Sequence, residues 1–206
     1  MQGKRLHYFS GLFLTLFIGL HLINHLSSLW GAAAHIEFMN WVRPLYRNLV
    51  VESVLMIAVL VQIVSGGQLF FRKRKQSGAF FDKLQLWSGA YLAFFLLIHV
   101  SAVMTGRYIL ELDTNFYFGV AGLNRFPFNL FFIPYYCLAV VSFFAHVASI
   151  HAQKMRRTWM GLSVTRQSQI ILMIGGLLSL ILMYGLTNHF QGVEIPTGYE
   201  VMVGGE

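Results

Sequence analysis

Residues 12–30 read LFLTLFIGLHLINHLSSLW, and how this stretch is taken decides the fold. An apolar run of about 18 residues or more, free of Asp, Glu, Lys and Arg, is long enough to cross a bilayer as one helix. Yet His21, Asn24 and His25 sit inside it. An ionisable ring in hydrocarbon is costly, so such residues turn toward a partner or a bound group within a helix bundle. The pattern recurs in LAFFLLIHVSAVM (residues 92–104, with His99) and LAVVSFFAHVASI (residues 138–150, with His146).

Composition points the same way. Of 206 residues, 56% are apolar, 16% aromatic and only 11% charged, too little polar surface for a soluble domain of this size. The net charge of +7 comes from short basic clusters between apolar spans. It reads as membrane topology, with no nucleic-acid partner. A lone Cys137 excludes an internal disulfide framework and a cysteine-ligated cluster, and there is no CxxCH for covalent haem attachment.

Five spans emerge, at about 9–30, 50–71, 84–105, 129–152 and 168–188, forming one all-α transmembrane domain over residues 1–206. Eleven of the fifteen basic residues fall on one side: Lys4, Arg5, Arg72, Lys73, Arg74, Lys75, Lys83, Lys154, Arg156, Arg157 and Arg166, with Asp82 their only acid. The other side carries Arg43, Arg47, Arg107 and Arg125 with Glu37, Glu111, Asp113, Glu194, Glu200 and Glu206. The positive-inside rule then puts the N-terminus in the cytoplasm and the C-terminus outside. Gly31-Ala32-Ala33-Ala34 after the first run has the outline of an export-signal cleavage site. The run is longer than a signal core and carries His21, Asn24 and His25, so it reads as a retained span. The aromatic loop 106–128 is expected to cap the bundle, and the tail 191–206 to be mobile.

Depth sorts the histidines. At about 1.5 Å per residue, His21, His25 and His99 lie roughly 18, 24 and 22 Å from the inner ends of their spans, a shared level in the outer half. His146, on a span running inward, is roughly 26 Å from its outer end and marks a second, deeper level. Neutral imidazole is the commonest protein ligand for a metal, so haem held between helices is the leading occupant. A helix-to-helix hydrogen bond is the simpler role for any one of these rings. His21 and His99 at a matched level form the expected ligand pair, and His25, one turn from His21, is a second inward residue. His146 faces Gln62-Ile63-Val64-Ser65-Gly66-Gly67 on a second span that contains no histidine. Gly66 and Gly67 would let a planar ring or a neighbouring helix come close. His7, His35, His151 and His189 lie at or beyond span ends and read as interfacial residues.

Several stretches then resemble one family. They are Arg5-Leu6-His7, His21-Leu22, Glu52 opening the second span, Ile98-His99-Val100, Phe144-Ala145-His146, and GLSVTRQSQ at residues 161–169, which is similar to a GxxVTxxSQ connection. In order and spacing the chain resembles the five-helix cytochrome b membrane anchor of succinate:quinone oxidoreductases, the succinate dehydrogenases and fumarate reductases with one membrane subunit. The resemblance implies two b-type haems at two levels, with His21 and His99 ligating the outer one and His146 half of the inner pair. The second span has no histidine, with Gln62 or Ile63 in the corresponding place, so the inner haem is either absent, held by His146 with an unusual second ligand, or replaced by another occupant.

The resemblance further implies an anchor in the bacterial cytoplasmic membrane, bound to a flavoprotein and an iron–sulfur subunit and exchanging electrons with quinone, here menaquinone. Quinone reduction needs protons at the membrane edge. Glu52 is the carboxylate for that role, with His25, Tyr46 and Arg47 beside it, and its simpler role is to stabilise a helix N-terminus. Propionates would find Arg47, Arg107 and Arg125 outside, and Arg5, His7 and Arg72 inside. Two alternatives stay open: the cytochrome b anchor of another quinone-linked respiratory enzyme, and a haem-free proton-conducting transporter whose histidines relay protons.

Overall fold

The computed structural model describes residues 2–75 and 78–204, so Glu206 among the expected outer acids lies outside it. Seven α-helices follow in order: α1 (Gln2–Leu26), α2 (Ala32–Tyr46), α3 (Leu49–Lys73), α4 (Phe80–Tyr108), α5 (Phe116–Val120), α6 (Asn129–Lys154) and α7 (Val164–Leu186). No strand occurs among the described residues. Helices α1, α3, α4, α6 and α7 are long and apolar enough to cross a membrane. The five expected spans are therefore present, each starting or ending a few residues from its expected limit.

Local chemistry sets the ends. The Asn48 side chain accepts from Val51 N at 3.1 Å and starts α3, and Ser163 accepts from Arg166 N at 3.4 Å and starts α7. Each satisfies an otherwise orphaned amide. At the other end of α1, Ser27 and Ser28 turn their hydroxyls back onto the carbonyls of Asn24 and His25 at 2.6 Å, and the chain tightens into a 3-10 turn, Ser27–Trp30.

Helix α2 was not expected. Its 15 residues span roughly 22 Å, short of a bilayer core. It presents His35, Met39 and Val42 inward while Trp41 and Leu45 stay exposed.

The long helices close a ring: α1 packs on α3, α3 on α4, α4 on α6, α6 on α7, and α7 on α1. Reciprocal bonds pin α4 to α6, with Tyr91 donating to the Tyr135 carbonyl at 2.8 Å and Tyr135 to that of Phe95 at 3.3 Å. Gly175 lets α7 lie against Phe144 of α6, where a Cβ would collide with the ring. Outward, Leu16, Leu60, Trp87 and Leu180 are each more than three-fifths exposed, an apolar surface that belongs in hydrocarbon.

The expected cap is real. Phe116, Val120 and Leu123 from segment 106–128 pack on Leu182, Met183 and Leu186 at the end of α7. The tail differs from expectation. Thr197–Val203 forms a 3-10 helix, Tyr199 donates to the Asp113 carbonyl at 3.0 Å, and Val203 is buried. A short run without periodicity gave no sign of these anchors.

Candidate functional site

A cavity of about 1140 Å³ runs through the ring, from Lys4 and His7 at the end where α1 begins to Arg43, Arg47 and Glu52 at the far end. Four helices, α1, α3, α4 and α6, make most of its wall, and α7 reaches it only at Leu182, Met183 and Leu186. His7, His21, His25, His35, His99 and His146 all line it. The two expected levels are its two ends.

At the far level, the ring of His21 on α1 meets that of His99 on α4 edge-on, with centroids 6.2 Å apart. Two metal–imidazole bonds of about 2 Å each, plus the two ring radii, come to roughly 6 Å, so the spacing suits one metal held from both sides. Phe17 stacks on His21 and Phe95 on His99, fixing both rings. His25 lies one turn on, its Nε2 3.1 Å from His21 Nε2. If His21 held a metal through that nitrogen, the metal bond would replace this hydrogen bond. Among the described residues no group of three or more His, Cys, Asp or Glu is placed to hold a metal ion.

His35 corrects the sequence reading. It is 3% exposed, with its Nε2 3.3 Å from His25 Nδ1 and 3.3 Å from Asn24 Nδ2. Burial, and less so His21, push it down to about 4. His35 is therefore neutral at pH 7, and the chain His21–His25–His35 is a run of linked imidazoles. His35 Nδ1 and Asn24 Oδ1 are buried without a protein partner, an arrangement that costs free energy unless a bound molecule or water completes it. The spacing His35, Met39, Val42 was the available signal, since it marks one face of a helix.

Charge closes this end. Arg107 grips both oxygens of Glu52, an ion pair 13% and 20% exposed. Arg43 and Arg47 reach Asp113 at 2.9 and 3.7 Å. Tyr46 stands beside them, and its burial raises its hydroxyl above the ordinary value against the pull of Arg43. Glu52, Arg47, His25 and Tyr46 thus meet at one end of the cavity. Arg125, expected there, is not on its wall.

At the other level, His146 Nδ1 donates to the Gln85 carbonyl at 3.2 Å, with Ser88 Oγ at 3.4 Å. Its ring lies against Gly89, where a Cβ would sit 3.0 Å from His146 Cε1. His7, read from sequence as interfacial, is half-buried, and its Nδ1 is 2.8 Å from Ser65 Oγ. Gln62 donates to the His7 carbonyl at 2.6 Å and to Ser10 Oγ at 2.7 Å. The second-span residues expected opposite His146 thus hold α1 and His7 in place. Lys4, Lys73 and Lys154 line this end, where Arg5 and Arg72 were expected.

The remaining features are structural. His151 Nε2 bonds Gln167 Oε1 at 2.9 Å, and Gln167 also donates to the carbonyls of Leu162 and Arg157. His189 is exposed and lies 3.3 Å from the Leu29 carbonyl. In GLSVTRQSQ, Ser163 caps α7 and Gln167 ties down the preceding loop, which accounts for those residue types locally.

No protein-family model matches this chain, and neither a curated protein nor a solved structure matches it.

Proposed function

We propose that this chain is the haem b membrane anchor of a succinate dehydrogenase/fumarate reductase complex in a bacterial cytoplasmic membrane, relaying electrons between an iron–sulfur subunit and quinone, with menaquinone as that quinone. The observation that carries the reading is the His21–His99 pair, whose ring centroids stand 6.2 Å apart on the cavity wall, a separation that suits one iron. Bis-imidazole haem supplies a one-electron carrier closed to oxygen and substrate.

The chain's own residues have distinct duties in this reading. His21 and His99 hold the iron, and Phe17 and Phe95 keep their rings from turning. Arg47 and Arg107, already paired with Asp113 and Glu52, would offer their remaining donors to anionic carboxylates at the same end. Glu52 stands on the cavity wall beside Arg107, where it exchanges a proton with a quinone oxygen, with His25 and Tyr46 as neighbours. The end where α1 begins faces the cytoplasm by the positive-inside rule, and its basic residues form the docking face for the flavoprotein and iron–sulfur subunits.

A reduced-minus-oxidised absorption spectrum of the purified protein tests this reading. A b-type band is expected, and its absence overturns the proposal. A His99→Ala variant is expected to lose one haem; full retention refutes the ligand assignment. Co-purification with a flavoprotein and an iron–sulfur subunit tests the complex.

The linked imidazoles His21, His25 and His35 favour a second reading, a haem-free proton path. Absence of the b-type band together with proton flux in vesicles, lost on His25→Ala, would select it.

A further inference from the structure

We infer that His7 on α1 and His146 on α6 form a second imidazole pair at the amino-terminal end of the cavity, holding the iron of a second haem. This rests on the reading of the chain as a haem protein and departs from the resemblance, which puts the partner of His146 on the second span.

The preparation of the two rings carries the inference. A metal-ligating histidine donates its other ring N–H to a carbonyl, carboxylate or similar acceptor, which fixes the tautomer and leaves the ligating nitrogen bare. His146 does so through Nδ1 to the Gln85 carbonyl. His7 does so through Nδ1 to Ser65 Oγ, whose own hydroxyl proton is committed to the Val61 carbonyl. Ser65 therefore accepts from His7. In both rings these partners would hold the proton on Nδ1 and leave Nε2 bare, and both rings border the cavity.

The surroundings choose the occupant. Two neutral imidazoles leave the charge of a bare divalent ion uncompensated in a low-dielectric interior. A haem brings a dianionic ring around its iron and adds anionic propionates. Lys4, Lys73 and Lys154 at the same end of the cavity are suited to receive those propionates. Gly89 is the position on α4 where a side chain would press on the ring of His146. Gln62 fixes the α1 backbone at His7 from across the α1–α3 contact.

The test combines haem counting with redox titration followed by electron paramagnetic resonance, on the purified full-length protein. Wild type is expected to hold two low-spin haems. His7→Ala and His146→Ala are each expected to lose the same one, and His99→Ala the other. Since truncation can unfold the bundle, His7→Met is the decisive variant: a thioether in place of an imidazole raises the potential of one haem and leaves the second unchanged. Two haems in wild type with neither potential moved by His7→Met overturn the inference. So does a single haem lost on His99→Ala and indifferent to His146→Ala, an outcome that leaves the proposed function standing. A single haem that requires both His7 and His146 supports the inference and removes the far-level assignment. Absence of haem from wild type overturns both readings.

Discussion

The two ends of the cavity hold histidines in opposite ways. At the far end His21, His25 and His35 bond to one another at 3.1 and 3.3 Å, so imidazole nitrogens satisfy imidazole nitrogens. At the amino-terminal end His7 and His146 each spend Nδ1 on an acceptor outside the histidine set, a serine hydroxyl and a backbone carbonyl. The first arrangement lets His25 and His35 share protons beside the His21–His99 pair, and the second suits fixing one tautomer and presenting the other nitrogen. A ring's depth in the bundle therefore does not reveal its role. What its second nitrogen touches does.

The sharpest way to break this comparison is Gly89→Val. A branched side chain there drives the His146 ring off α4, since even a Cβ stands 3.0 Å from Cε1. On the proposed two-haem reading, the expected outcome is loss of about half the bound haem, read by haem per polypeptide, with the centre that depends on His99 intact. Equal loss from both centres would erase the distinction between the ends.

Acid should strike the far end. His35 is pushed from 6.5 down to about 4 in the folded chain, so the unfolded chain binds the extra proton first, and stability falls as pH drops from about 6.5 toward 4. The full displacement corresponds to roughly 3 kcal/mol. Thermal unfolding in detergent should lose midpoint across this window in wild type and much less in His35→Gln. A wild-type midpoint flat between pH 7 and pH 4 contradicts the burial of His35.

The smallest effect is expected from Ser65→Ala. It removes the acceptor for His7 Nδ1 and costs about 1 kcal/mol of stability. It should also shift the potential of the amino-end centre slightly while leaving the other still. No shift in either centre would show that the Ser65 bond does not tune His7.

Much of this was legible from residue order. Apolar runs interrupted by histidines marked five spans, and helical rise alone matched His21 to His99 in depth. Helix α2 escaped because Ala32–Tyr46 is too short to span a membrane and mixes Glu37, Asn40 and Arg43 with its apolar face. Missing it cost the reading His35, the most buried of the histidines in the far cluster. His7 was read as part of Arg5-Leu6-His7, as an interfacial residue and as a propionate partner, and not as a ligand. Its acceptor lies 58 residues away on α3, and no local pattern reports a hydrogen bond across two helices. Gln62 looked like a missing ligand, whereas it is a tether from α3 to α1.

The ring of helices has one loose joint. At the amino-terminal end α1 and α6 meet through Lys154 resting 3.8 Å from the centre of the Tyr8 ring, while α7 closes the gap near the turn that follows α1. Tyr8 and Leu12 line the cavity and are nevertheless 45% and 51% exposed, so the chamber reaches the surface along this seam. The opening faces sideways, toward where acyl chains would lie. On the proposed reading of a membrane-embedded haem protein, a lipid-soluble cofactor would be able to enter along this seam after the five helices have inserted, with the bilayer as the route of delivery.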